Sequence, residues 1–393
     1  MVYGYLAGRL HLATHLRQSR KTDYIRADLG SSVRTHQMIK SFAWMLSVFC
    51  SVGIIAVSGN LALARDMQEV LKELRGVRDE EREVKLIEGA KQERKVVLYG
   101  TTGVDDMKVL FDAFKKKYPF LDVGHYRSGA LGVYNQVVTE ARAGRFEANV
   151  VEATSLTALR LRENNLLEAY ISPKRAGIGK DFMDSDGYWT AWFQQVVAMI
   201  YNTKLVRSDE APKSYDDLLD PKWKGKISMD QEDDDIFASL MGYWGKEKGM
   251  AYFKRLAQNQ PTLRKGHNLQ TSLLAAGETY IAPWIFAFRP LTMKQRGAPI
   301  GISLLDPVLS DPKYVMVAKN NQRPYATILF IDWMLSDGQK IVVENLGRTG
   351  TRPGLKERFP ELLRPRYLVQ TPDRLGANSK SYAELFCKTF ATC

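Results

Sequence analysis

From Lys95 onward the apolar residues fall in two rhythms: short runs rich in β-branched residues, and stretches in which they recur every three or four positions. Residues 95–99 form a run of the first kind and predict a buried strand. A turn with glycines at both ends and threonines between them, Gly100-Thr-Thr-Gly103, follows it. Met107, Leu110, Phe111 and Phe114 then predict a helix, with Asp105 and Asp106 in its first turn, Lys115 to Lys117 in its last and Pro119 just beyond. That order of charge matches the helix dipole at both ends. The unit repeats. Residues 121–126 predict a second strand, Arg127-Ser-Gly129 a turn, and Val133, Tyr134, Val137, Val138 and Ala141 a helix with Gly144 just past its end. Residues 148–151 predict a third strand, and Ser155 caps a helix that runs out at Asn164 and Asn165. Alternation of this kind predicts a parallel sheet with right-handed crossovers, in an α/β fold. Such sheets bind ligands at the carboxyl ends of their strands. Here that rim carries Thr101, Thr102, Arg127, Ser128, Gly129 and Thr154.

Further along, strands are expected at 196–201, 227–229, 279–282, 300–305 and 314–318, and helices at 236–244, 250–258 and 269–276. A helix interrupted near Pro290 is expected over 284–296, and an amphipathic one over 323–335. Before Lys95 the pattern changes. Lys40 precedes an uncharged run, 42–57, and Ala62-x-Ala64 follows it. A basic flank, an apolar core and small residues at that spacing predict a signal peptide over 38–64, cleaved after Ala64. The alternative is a retained membrane anchor at 42–57. Residues 1–37 then lie upstream of an initiator at Met38, as an extension outside the mature protein. Residues 65–94 predict a helical lead-in.

With 393 residues, the chain is long enough for two lobes. Its composition is globular, 45% hydrophobic and 25% charged. The net charge of +12 is spread along the chain, and Asp230-Gln-Glu-Asp-Asp-Asp235 is an acidic run, so nucleic acid is not the expected partner. An exported chain could join Cys387 to Cys393, stapling only the tail; free thiols there are the alternative.

Several stretches resemble the periplasmic solute-binding proteins of ABC importers, in the branch that holds iron(III), thiamine, polyamine and phosphonate binders. They are the opening at Lys95, Ala148-Asn-Val-Val-Glu152, Val197-Ala-Met-Ile-Tyr-Asn202, Tyr215-Asp-Asp-Leu-Leu-Asp-Pro-Lys-Trp-Lys-Gly-Lys226, Leu273-Leu-Ala-Ala-Gly-Glu278 and residues 326–338, which end in Leu335-Ser-Asp-Gly338. The resemblance implies a type II fold of two α/β lobes, each a mostly parallel sheet flanked by helices. Crossing strands join the lobes, the first near 188–198 and the second near 303–308. One lobe would comprise 95–190 and 304–350, the other 191–303 and 351–393 with a helical tail. It implies a non-catalytic, monomeric, periplasmic receptor without a cofactor, which closes on a small solute and delivers it to a membrane permease. An exported enzyme on the same scaffold is the rival reading, and a membrane-anchored sensor a third. For the enzyme, His125 and His267 look isolated, and neither Gly-x-Ser-x-Gly nor His-Glu-x-x-His occurs.

Iron binders of this branch use His, Glu and a pair of Tyr, and the corresponding positions here are Gly103, Thr154, Trp284 and Ile285, which implies no metal. In place of the relatives' small, hydroxylated anion-holding turn stands the run from Asp230. Acids at a helix start are ordinary caps; the sharper reading pairs Asp230 with a cationic or zwitterionic organic solute. Tyr126, Trp189, Trp192 and Trp284 could add aromatic faces for an organic cation, while Arg127, Arg289 and His267 point to an anionic group. The expected ligand residues are Thr101, Thr102, Arg127, Ser128, Thr154, Asp230 and Trp284.

Overall fold

The computed structural model describes residues 65–363, 366–376 and 379–392. The signal segment, the extension before it, the anchor alternative and Cys393 lie outside the described residues. Cys387 is disulfide-bonded, and its partner also lies outside them.

Two lead-in helices, α1 (Met67–Glu73) and α2 (Asp79–Glu93), precede β1 (Lys95–Gly100) and α3 (Val104–Lys117). Then come β2 (Asp122–Arg127), α4 (Ala130–Arg142), β3 (Val150–Ala153), α5 (Ser155–Glu163) and the short β4 (Leu167–Glu168). A long strand, β5 (Thr190–Asn202), leads out of this first layer. Beyond it lie β6 (Ser228–Asp230), α6 (Asp234–Trp244), α7 (Lys246–Gln258), β7 (Thr262–Arg264), α8 (His267–Ala276), β8 (Ile281–Phe286), α9 (Phe288–Gln295) and β9 (Ile300–Ser303). A second long strand, β10 (Val308–Ala318), returns to α10 (Pro324–Trp333), a π-helical turn (Met334–Gly338) and α11 (Gln339–Glu344). The tail adds β11 (Tyr367–Val369), α12 (Pro372–Leu375) and α13 (Ser379–Phe390).

The main sheet runs β2-β1-β3-β10-β5-β8, with β4 and β11 on β10 and β9 on β5. It is mixed. β1 pairs in parallel with β2 and β3, as the alternating pattern predicts. β10 is antiparallel to β3 and β5, and β5 is antiparallel to β8 and β9, because β5 carries the chain out and β10 brings it back. Both long strands are buried along their whole length. Around β1 to β3 the core is built from residues such as Leu98, Phe114, Phe330 and Trp333, with Tyr99, Val151 and Tyr314 on the other face. A separate cluster around Trp223, Phe237, Phe253 and Trp284 fills the far side. Two cores linked by two antiparallel strands make a two-lobe α/β architecture.

The observed elements differ from the sequence pattern where polar residues interrupt a strand. β5 begins six residues before the expected 196, since Gln194 and Gln195 are buried. Gln194 Nε2 donates to the Gly350 carbonyl at 3.0 Å, and Gln195 Nε2 to Asp311 Oδ2 at 3.3 Å. β10 begins at 308 because Asp311 and Lys313, which read as a break, pair at 3.3 Å inside it. Between them the register of β5 and β10 shifts at Lys313 and Tyr314, leaving Trp192 unpaired with β10. Its carbonyl accepts from Gln339 Nε2 at 2.6 Å instead. Residues 284–286 belong to β8 rather than to a helix. Pro290 sits in the first turn of α9, where a missing N–H removes no helical bond.

The lead-in helices are fastened to the first lobe. Arg82 Nη1 donates to Asp332 Oδ2 at 2.6 Å, and Nη2 to the Tyr170 hydroxyl at 2.6 Å. The hydroxyls of Tyr170 and Ser172 both donate to Asp332 Oδ1 at 2.5 Å. Gly89 lets α2 lie on α10, since a Cβ there would meet the Tyr325 ring at 2.2 Å. Glu93 accepts from the Tyr325 and Ala326 amides, at 3.2 and 2.7 Å, and so caps α10.

Candidate functional site

The carboxyl ends of β1, β2 and β3 open onto a cavity of about 190 Å³ that the second lobe closes from the other side. Thr101, Thr102, Gly103, Asp106, Arg127, Gly129 and Thr154 line it from the first lobe. Asp230, Glu232, Asp233, Asp235, His267, Phe286 and Phe288 line it from the second, and Gln195 and Lys313 of the long strands form part of its wall. At that volume it is a small site, below the roughly 300–1,000 Å³ usual for drug-sized ligands.

Of the seven expected ligand residues, the fold brings five to this cavity: Thr101, Thr102, Arg127, Thr154 and Asp230. Ser128 is next to it but turned away, its hydroxyl lying where a Cβ on Gly132 of α4 would stand. Trp284 is only 1% exposed and packs in the second lobe's core, away from the lining residues. Trp189 and Trp192 are likewise core residues, and Tyr126 packs on Tyr99 with ring centroids 4.9 Å apart and the planes tilted by 47°. The aromatic faces on the cavity are Phe286 and Phe288.

Thr101 and Thr102 are already engaged. Glu152, fully buried at the end of β3, accepts from both of their amides, at 2.8 and 3.1 Å, and from both hydroxyls, at 3.2 and 3.0 Å. The glycine-bounded turn thus closes around a carboxylate of the protein itself. Asp230 is also engaged: its Oδ1 accepts from the Glu232 amide at 3.0 Å and its Oδ2 from the Gly266 amide at 2.7 Å. It holds together the loops that carry the acidic run and His267.

His267 is paired rather than isolated. Its Nε2 lies 2.8 Å from Asp233 Oδ1 and 3.8 Å from Asp230 Oδ2, with the ring edge-on to Phe286. Burial lowers its pKa, but Asp233, Asp230 and Asp235 outweigh that and lift it to about 9. Burial pushes Asp233 up to about 6 against the pull of the same histidine. Asp235 is raised well above the carboxylate range, by burial first and then by Asp311, Asp234 and Asp233. Behind it, Asp311 is 1% exposed, is raised by burial, and leaves Oδ1 without a partner. Asp230, Asp233 and Asp235 on this wall and Asp311 behind it therefore share two cations, His267 and Lys313, while Glu232, also on the wall, pairs with Lys265 at 2.7 Å.

Arg348, on the turn after α11, faces them. It is 5% exposed, and its Nη2 donates to Asp106 Oδ2 at 2.6 Å. The guanidinium packs on the Phe288 ring and lies near Phe193. Its Nε and Nη1 have no hydrogen-bond partner. Burial brings its pKa down to about 10, though Asp106 and Glu152 pull it up.

The sequence pattern did not single out Gln195, Asp235, Phe286, Lys313 or Arg348. Phe286 was open to the rule of strand carboxyl ends, had 281–286 been read as one strand. Asp311 and Lys313 fall between the expected strands at 300–305 and 314–318. Nothing local marks Arg348.

Two lobes joined by a pair of antiparallel strands, with a polar cavity where the lobes meet, define a two-lobe ligand-binding protein of the periplasmic type. Residues 157–367 match the family described as bacterial extracellular solute-binding protein, and the chain belongs to that family. It is 26% identical over 198 residues to a putative 2-aminoethylphosphonate-binding periplasmic protein of Salmonella typhimurium, a stretch covering 48% of this chain and 56% of that one. It is 25% identical over 195 residues to an Fe(3+)-binding periplasmic protein of Serratia marcescens, covering 49% and 56%. The chain thus spans little more than half the length of these curated relatives. Iron-bound HitA from Pseudomonas aeruginosa superposes with a TM-score of 0.66 at 20% identity, over 75% of this chain and 99% of that one. AfuA from Actinobacillus pleuropneumoniae, with fructose-6-phosphate bound, gives 0.64 at 20% identity, over 76% and 99%. At these identities the structures establish the fold. No helix among the described residues is long and apolar enough to cross a membrane.

Proposed function

We propose that this chain is an extracytoplasmic receptor that binds a small organic solute through a cationic group and delivers it to an ABC-type permease. The surplus of acids on the second lobe's wall carries this reading. Buried like charges disfavour one another, and a buried carboxylate without a partner is costly. An ammonium group beside Asp235 and Asp233 relieves both penalties, so solute and closed cavity stabilise each other. Phe286 and Phe288 offer aromatic faces to the same cation. The iron-type residues are missing: Gly103 and Thr154 line the cavity without a metal-binding group, and Trp284 and Ile285 are buried in the core. The role is one of binding, with release to a partner, rather than of chemistry on the solute. The family and the periplasmic relatives support export, with the signal peptide at 38–64 as its means.

The test is a thermal-shift screen of residues 65–393 against primary amines, polyamines, amino acids, aminophosphonates, sugars and iron(III), followed by calorimetry on the hits. A solute at a hundredfold excess over Kd stabilises by about 2.7 kcal/mol. Amine-bearing solutes should stabilise the wild type, and Asp235→Asn should weaken them at least tenfold. The same substitution should leave the free protein as stable or more so, since burial and the neighbouring acids already disfavour a charge at this position. Stabilisation by amine-free solutes alone, or turnover of a bound solute, would overturn the proposal.

A further inference from the structure

The cavity has a second pole. Arg348 is a guanidinium with five N–H donors, nearly all of its surface is buried, and its Nε and Nη1 have no acceptor. Buried polar groups in folded proteins almost always have partners, so an orphaned pair on a cavity wall marks the place of a missing one. The surroundings fix the sign of that partner. Asp106 takes only Nη2, and Glu152, the other nearby acid, is committed to Thr101 and Thr102. Arg127 and Lys313 line the same cavity, and Arg289 adds positive charge beside Arg348. Two helices of the first lobe, α3 and α5, start at lining residues: Gly103, which has no side chain to cap the helix, and Thr154, whose side chain makes no cap bond. An oxyanion here would take a charge-assisted hydrogen bond from Nη1 or from Nε, whose N–H groups point to different sides of the guanidinium.

We propose that the solute is a zwitterion whose acid group, a phosphonate, phosphate or carboxylate, is held by Arg348, and that Arg348 sets the specificity for solutes bearing both groups. This rests on the cationic-solute reading above and adds the opposite end of the molecule. The acids on the second lobe and Arg348 face the same small cavity, so one compact solute with two charged ends satisfies both. Either charge alone leaves one wall uncompensated.

The experiment uses calorimetry with four probes of similar size: 2-aminoethylphosphonate, β-alanine, ethylphosphonate and propylamine, with inorganic phosphate as a fifth. Wild-type protein should bind at least one of the two zwitterions ten or more times tighter than either single-charge probe. The comparison of phosphonate with carboxylate identifies the acid group. Arg348→Gln should weaken the preferred zwitterion at least thirtyfold and leave propylamine within twofold. Arg348→Lys keeps the charge and a bond to Asp106 but loses the Nε and Nη1 donors. It should retain the wild-type melting temperature more closely than Gln and still lose about tenfold, which separates recognition from folding. Asp235→Asn should weaken propylamine and the zwitterion together. If propylamine binds as tightly as the zwitterions and neither Arg348 variant changes any affinity, the acid-group assignment is wrong while the cationic reading stands. If ethylphosphonate or phosphate binds through Arg348 and Asp235→Asn has no effect, the cationic reading falls and the oxyanion site stands, without the zwitterion. Absence of binding by every probe at 10 mM overturns the zwitterion proposal.

Discussion

Glu152 shows how one side chain can reverse the meaning of a motif. A strand followed by a glycine-bounded turn and a helix start reads as a cradle for an external anion, and here the anion is a carboxylate supplied from β3. The carboxylate that takes these four contacts is itself fully buried. Glu152→Ala should therefore leave two amides and two hydroxyls short of partners and cost about 2–4 kcal/mol in urea unfolding. Glu152→Gln, which keeps one carbonyl oxygen, should cost less. The motif was legible and its occupant was not, because Glu152 is fifty residues from the turn and is brought there only by the parallel pairing of β1 with β3. The same holds for Arg348, whose partner Asp106 lies 242 residues away. His267 gives a pH signature. Its pKa is about 9 when folded and about 6.5 in an unfolded chain, so its ion pair contributes fully below about 6.5 and is lost as pH rises through 9. A melting-temperature series from pH 7 to 10 should fall more steeply for the wild type than for His267→Gln, by up to about 3 kcal/mol.

At the scale of elements, local pattern carried most of the first lobe. The helices of 104–117 and 130–142 and the strands they follow lie within a residue or two of their apolar periodicity. It failed where burial is complete on both faces, because a strand inside a sheet need not alternate. β5 and β10 tolerate Gln and Asp through bonds to distant partners, Gln194 to Gly350 and Gln195 to Asp311, and Lys through its pair with Asp311 two residues away. Trp284 belongs to this group. It looked like a cleft aromatic and is a core one, so Trp284→Phe should lower stability by about 1–3 kcal/mol and leave solute affinity unchanged in calorimetry. The lead-in helices depend on one polar cluster. Arg82→Met strands Asp332 in the interior and should cost about 3–5 kcal/mol. The double variant Arg82→Met with Asp332→Leu should unfold at a higher urea concentration than Arg82→Met alone.

Across the whole molecule, the two lobes meet at more than the cavity. Arg160 of α5 donates to Asp234 of α6 at 3.0 Å, with both side chains largely buried. Ser155 donates to the Gln370 carbonyl, and Gln370 Nε2 to the carbonyl of Asp235 at 3.2 Å. Glu232 reaches Gly129 at the start of α4, where a Cβ would stand 2.4 Å from its Oε2. These contacts flank the opening, with the tail helix and Cys387 beside them. If they set how readily the lobes separate, the pair Arg160 and Asp234 should show a coupling of about 1 kcal/mol in a double-mutant cycle on solute affinity. Small-angle scattering of the solute-free Arg160→Ala variant should then give a larger radius of gyration than wild type.

The long strands hold one more implication. Gln195 and Lys313 belong to the cavity wall and also to the two strands that join the lobes, so any lobe closure on the proposed solute would pass through them. A substitution at either position therefore alters grip and stiffness together, and its effect on affinity cannot be divided between them. Redesign for a new cargo has a freer hand at Asp235, Phe286 and Arg348, which touch the cavity from outside the connecting strands. There, selectivity can drift while the mechanical joint is inherited intact.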